Sequence, residues 1–127
     1  MLAAATLLSV GCGGGAGDLL AIEVSGPLAA GTERIVVASD GRASCNGGPL
    51  LAISSAALIE AREIERSVTA LAERGAGFDS HRLGARRYLL RTRAGAVRWG
   101  EGGGGLPASL AQAARLALQL GRALCQR

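Results

Sequence analysis

The side chains able to do covalent or metal chemistry are few: Cys12, Cys45, Cys125 and a single histidine, His81. A cysteine nucleophile with His81 as its base needs the two side by side in space, and the linear spacing does not bring them together. Zinc sites draw on ligand pairs spaced C-x₂-C or H-x₃-H, and no pair here has that spacing. Asp79, Ser80 and His81 are chain neighbours, whereas hydrolytic triads are assembled from separated segments. The glycine-rich pieces lack G-x-x-x-x-G-K-[ST], and the run at Gly13 precedes the first strand instead of following one, so neither forms the usual phosphate cradle. The inventory predicts no enzyme: no catalytic residue, no metal and no cofactor.

Arginine offers a different chemistry. Every basic residue in the chain is arginine, and six of them (Arg82, Arg86, Arg87, Arg91, Arg93 and Arg98) fall between Asp79 and Glu101 with no acid among them. In "YLLRTRAGAVRWGE", a two-residue turn at Ala94-Gly95 places Tyr88, Leu90, Thr92, Val97 and Trp99 on one face and Arg91, Arg93 and Arg98 on the other. The apolar face belongs on a core. The arginine face is either simply solvated or a partner-binding patch for lipid head groups, an acidic protein surface or another polyanion. A net charge of +4 over 127 residues is too mild to imply nucleic acid.

The first residues read as an address. Leu2 to Val10 carry no charge; nine residues are too few to span a bilayer, which takes about 20, but they suit the apolar middle of an export signal. Ser9 and Gly11 are small, as cleavage before Cys12 requires. No basic residue precedes Arg34, so the charged start of a signal is missing. "LLSVGC" followed by "GGG" resembles a bacterial lipoprotein signal. The family favours Leu three residues before the cysteine, where this chain has Ser9, with Leu8 one step earlier. The resemblance implies a signal peptide over 1–11, a lipidated Cys12 and a Gly-rich tether over 12–17. An ordinary secretory signal with a free Cys12, or a truncated buried helix, are the other readings of the same residues.

With Cys12 set apart, Cys45 and Cys125 remain. An exported protein lies in an oxidising place, so the two are expected to bridge. The segment from residue 18 to 127 is long enough for one domain. Aromatics are 2% of the chain, only Phe78, Tyr88 and Trp99, so its core must be aliphatic. "DLLAIEVSG" alternates as a strand, "ERIVVAS" is a second, and a two-residue turn at Asp40-Gly41 leads into "RASC". That register puts Val36, Ala38, Ala43 and Cys45 on one face and Ile35 and Val37 on the other. Both sets are apolar, and a bridged Cys45 favours the first as the core side. Ser54 or Ser55 caps a helix running to about Arg74, with Gly75 as its stop. Its stripe is Ala57, Ala61, Ile64, Val68 and Leu71. After the Tyr88 hairpin, Pro107 opens a last helix with Leu110, Ala113, Ala114, Ala117, Leu120, Gly121 and Leu124 on one side.

The order β-β-β-α-β-β-α predicts an α+β, two-layer sandwich: an antiparallel sheet with both helices on one face. This order, with "IEVSGPLAAGTERIVV", Tyr88 and the Leu106-Pro107 helix start, resembles the emfourin family of metalloprotease inhibitors. That resemblance implies inhibition of an extracellular thermolysin-like protease. It carries over no inhibitory residue: in the loop from Ser25 to Gly31, Pro27 and Leu28 stand where the family has Gly and Phe, and the loop is one residue longer. The chain also resembles small actinobacterial lipoproteins of unknown role. The sequence thus points to an exported, lipid-anchored envelope protein on the outer face of the cytoplasmic membrane, or otherwise secreted. It is read as a non-catalytic binding module, with protease inhibition as the alternative.

Overall fold

The computed structural model describes residues 18–26, 31–79 and 84–125. The elements are β1 (Asp18–Ser25), β2 (Glu33–Ala38), β3 (Arg42–Cys45), β4 (Leu51–Ala52), α1 (Ser55–Glu73), β5 (Gly77–Phe78), β6 (Arg87–Thr92), β7 (Gly95–Gly100) and α2 (Ala108–Leu124). The seven strands form one sheet in the order β4-β3-β2-β1-β6-β7-β5. The fold is α+β, as expected, but the sheet is mixed, because β5 runs parallel to β7. Neither β5 nor β4 is legible in the sequence. Each has two residues, too few for an alternating pattern to register.

Both helices pack on the same face and on each other. α1 covers β1, β6 and β7, while α2 covers β1, β2 and β3. β1 is central, pairing antiparallel with β2 on one side and β6 on the other. Leu20, Ile22 and Val24 from β1 meet Leu90, Val97, Ile64, Val68, Leu110 and Leu116 in one core. Full burial of a side chain of this size contributes about 1.5–3 kcal/mol. Tyr88 and Trp99, directly paired across β6 and β7, stack with ring centroids 5.1 Å apart. Burial raises the Tyr88 phenol pKa above its ordinary value, with Glu101 adding to the shift.

The helix ends follow local chemistry. The Ser54 hydroxyl accepts from the Ala57 N–H at 3.1 Å and caps α1. At the other end the Gly75 N–H donates to the Ala72 carbonyl and the Ala76 N–H to the Leu71 carbonyl, a Schellman stop made possible by Gly75 at φ +61°. The α1 stripe is as read, except that Ala72 is buried and Leu71 only partly so. On α2, Leu116 joins the buried stripe, while Ala114 and Leu124 lie at its margin. Pro107 sits at the cap, one position before the first helical residue.

The first hairpin corrects the sequence reading. Cys45 pairs with Ile35 and Ala43 with Val37, so Ile35, Val37, Ala43 and Cys45 share the core face. Val36 and Ala38 lie on the opposite one. The turn is a three-residue loop, Ser39-Asp40-Gly41: the Gly41 N–H donates to the Ala38 carbonyl at 3.2 Å, and Gly41 takes φ +90°. This is the type I turn plus left-handed glycine that competes with a two-residue turn at any Asp-Gly. One extra loop residue flips every side chain of the pairing.

The cystine forms as expected. Cys45, on the core face of β3, is bonded to Cys125 at the end of α2, with Cα atoms 5.4 Å apart and 80 residues of separation. Cys45 therefore offers no free thiol for a Cys–His pair.

Candidate functional site

The helices cover one face of the sheet, and no described helix lies on the other, where Arg91 and Arg98 are exposed while Ala21, Ala38 and Ser44 are buried. Side chains alternate along a strand, so residues opposite in phase to Leu20, Ile22, Ile35, Leu90 and Val97 point away from the core. These are Ala21 and Glu23 on β1, Arg34 and Val36 on β2, Arg87, Leu89 and Arg91 on β6, and Ala96 and Arg98 on β7. Pairing aligns them in rows: Ala21 lies between Val36 and Arg91, and Glu23 between Arg34 and Leu89. Arg98 stands opposite Leu89, one row from Arg91 and about 6.8 Å along the strand.

Two of the three predicted patch residues are on this face. Arg91 and Arg98 are exposed and outward, as read. Arg93 is exposed but sits in the turn, not on the strand. The turn centres on Arg93-Ala94, with Thr92 opposite Gly95. A two-residue turn on Ala94-Gly95 would demand positive φ at Ala94, which costs an alanine dearly. Moving the turn back one residue leaves only Gly95 in the left-handed region, at φ +146°. The register changes by two, so both faces keep the predicted side chains.

Of the six arginines, Arg86 is neutralised by Glu101 at 3.0 Å, and Arg82 lies outside the described residues. Arg87, Arg91, Arg93 and Arg98 make no ion pair among the described residues. The sequence reading missed Arg34, which β2 brings into the same neighbourhood because β1 pairs with both hairpins at once. Arg34 contacts Glu23 loosely, at 3.7 Å. Such an exposed pair contributes little stability and does not lock the guanidinium in place. Arg42, at the β2–β3 turn, is occupied by Asp40 at 2.8 Å. The Arg42 hydrogen bond holds the Asp40 carboxyl below its usual pKa.

A cleft of about 300 Å³ opens where β1 begins, lined by Asp18, Leu19, Leu20, Ala21, Arg34, Arg91, Thr92 and Arg93. It forms because β1 carries a bulge between Asp18 and Leu20 beside the projecting β6–β7 turn. Its chemistry is cationic, with three guanidinium groups and one carboxylate. Among the described residues, no group of three or more His, Cys, Asp or Glu side chains is placed to hold a metal ion, and no helix is long and apolar enough to cross a membrane.

Three sequence readings fall outside the described residues: the lipid-bearing Cys12 with the export segment before it, His81, and the loop centre Pro27–Ala30 on which the emfourin resemblance turns. The strands flanking that loop, β1 and β2, are adjacent and antiparallel. Comparison with protein-family models, with curated proteins and with solved structures finds no match.

Proposed function

We propose that this chain is an exported envelope protein, anchored by lipid on Cys12, that works as a non-catalytic binding module. The observation that carries the reading is the Cys45–Cys125 cystine. Structural disulfides persist in oxidising compartments and are rare where glutathione keeps thiols reduced. The bond also uses up both cysteines of the folded domain and leaves Cys12 for a separate role, at the boundary between an apolar run and a glycine tether.

The open arginine-bearing sheet face supports a binding role. It presents guanidinium groups suited to bidentate contact with phosphate or carboxylate. The helices, by contrast, use their apolar sides on the core.

Detergent phase separation of cells expressing the full chain tests the anchor. The protein is expected in the detergent phase, and Cys12→Ser is expected to move it to the aqueous phase. Wild-type protein found only in the aqueous phase contradicts the reading.

A further inference from the structure

We infer that the cleft formed by Arg34, Arg91 and Arg93 at the start of β1 seats the phosphate of an anionic phospholipid head group, holding the open face of the sheet against the membrane. The inference rests on the reading that Cys12 carries the lipid.

Two independent features place this surface at the membrane. The first is where the chain leads. Asp18, the first residue of β1, is itself a wall of the cleft, and only six residue steps separate it from Cys12. Fully extended, six residues reach about 20 Å. An anchored Cys12 therefore keeps this end of the sheet close to the head groups, whereas the far ends of the helices have no such constraint.

The second is charge. Arg91 and Arg93 are exposed and make no ion pair among the described residues. The Arg34 guanidinium has one ion pair among the described residues, a loose 3.7 Å contact with Glu23. Asp18 is the single acid in the lining, leaving the cleft with a surplus of positive charge. Leu19, only partly buried, lines it beside the guanidinium groups, a pairing of apolar and cationic groups that suits a lipid interface. Screening confines the attraction to about 8–10 Å at moderate salt, a separation that a tether reaching about 20 Å permits.

The test uses the full chain carrying Cys12→Ser, with the Cys45–Cys125 bond intact, so that no acyl anchor contributes. Sedimentation with phosphatidylglycerol-containing vesicles and with phosphatidylcholine vesicles gives a partition ratio. Taking the ratio cancels any contribution of the uncharged Leu2–Val10 segment. The ratio is expected to exceed one and to fall as salt is raised. Arg91→Ser with Arg93→Ser is expected to lower it by about tenfold or more, at about fivefold per arginine. Arg66→Ser with Arg115→Ser removes the same charge from the exposed helical side and is expected to change the ratio less than about twofold, since those groups lie away from the surface.

A ratio of one for the Cys12→Ser chain with its arginines intact, or equal losses in the two double variants, overturns the inference; the second result would make net charge the whole effect. Circular dichroism of both double variants confirms that they are folded. Failure of the anchor is read separately, by the state of Cys12 in exported protein. Vesicle preference without lipidation would leave the cleft's chemistry standing and remove the tether argument, whereas lipidation without vesicle preference would remove the cleft alone.

Discussion

At the scale of residues, Cys45 and Cys125 serve the fold, with a separate task proposed for Cys12. Cys45 and Cys125 close a loop of 80 residues of sequence separation, for which the chain-entropy argument gives about 4–5 kcal/mol. That is a large share of the about 5–15 kcal/mol by which a domain is stable. Denaturant unfolding with and without reductant should therefore show reduced protein, or Cys45→Ala with Cys125→Ala, less stable by about this amount. A change below about 1 kcal/mol would mean that the loop is already constrained in the unfolded chain. The pairing was legible because two cysteines remained once Cys12 was set apart. The side on which Cys45 lies was not: β2 is apolar on both faces, and only the length of the Ser39-Asp40-Gly41 loop decides which face is buried.

At the scale of elements, helices were read more accurately than strand pairings. α1 has a serine cap, a glycine stop and a stripe spaced by threes and fours, and each signal is local. Register is not local. It depends on which residue pivots a turn, and both hairpins pivoted differently from the reading. In the second, the reason is Gly95. A Cβ there would overlap the Ala72 carbonyl near the end of α1, and φ is +146°. One glycine thus sets the turn and lets the helix end sit against the hairpin that carries Arg91 and Arg98. Gly95→Ala is expected to cost about 2 kcal/mol or more, through positive φ and overlap together, measured by thermal or denaturant unfolding. Gly104→Ala, with nothing near its Cβ position, should have little effect. Equal losses at the two sites would contradict this account of the hairpin.

At the scale of the molecule, the sheet has one side covered by both helices and another on which no described helix lies. The covered side holds the aliphatic core that the composition demanded, with Tyr88 and Trp99 stacked at one edge. The open side carries arginines from two hairpins that are distant in sequence. Arg91 and Arg98 could be found by alternation alone, but Arg34 could not, because nothing in the sequence shows that β1 joins the hairpins side by side. The cleft is a product of that topology and of the bulge near Asp18. The chain enters the sheet at the cleft, so the proposed anchor at Cys12, the glycines that follow it and the cationic surface beside Asp18 would act together. The mass of the mature N-terminal peptide, taken from protein exported to the cell envelope, tests this most directly. The account predicts a chain that begins at Cys12, has lost residues 1–11 and carries added acyl mass on that cysteine. A mature chain that keeps Met1, or one that begins at an unmodified Cys12, would contradict it.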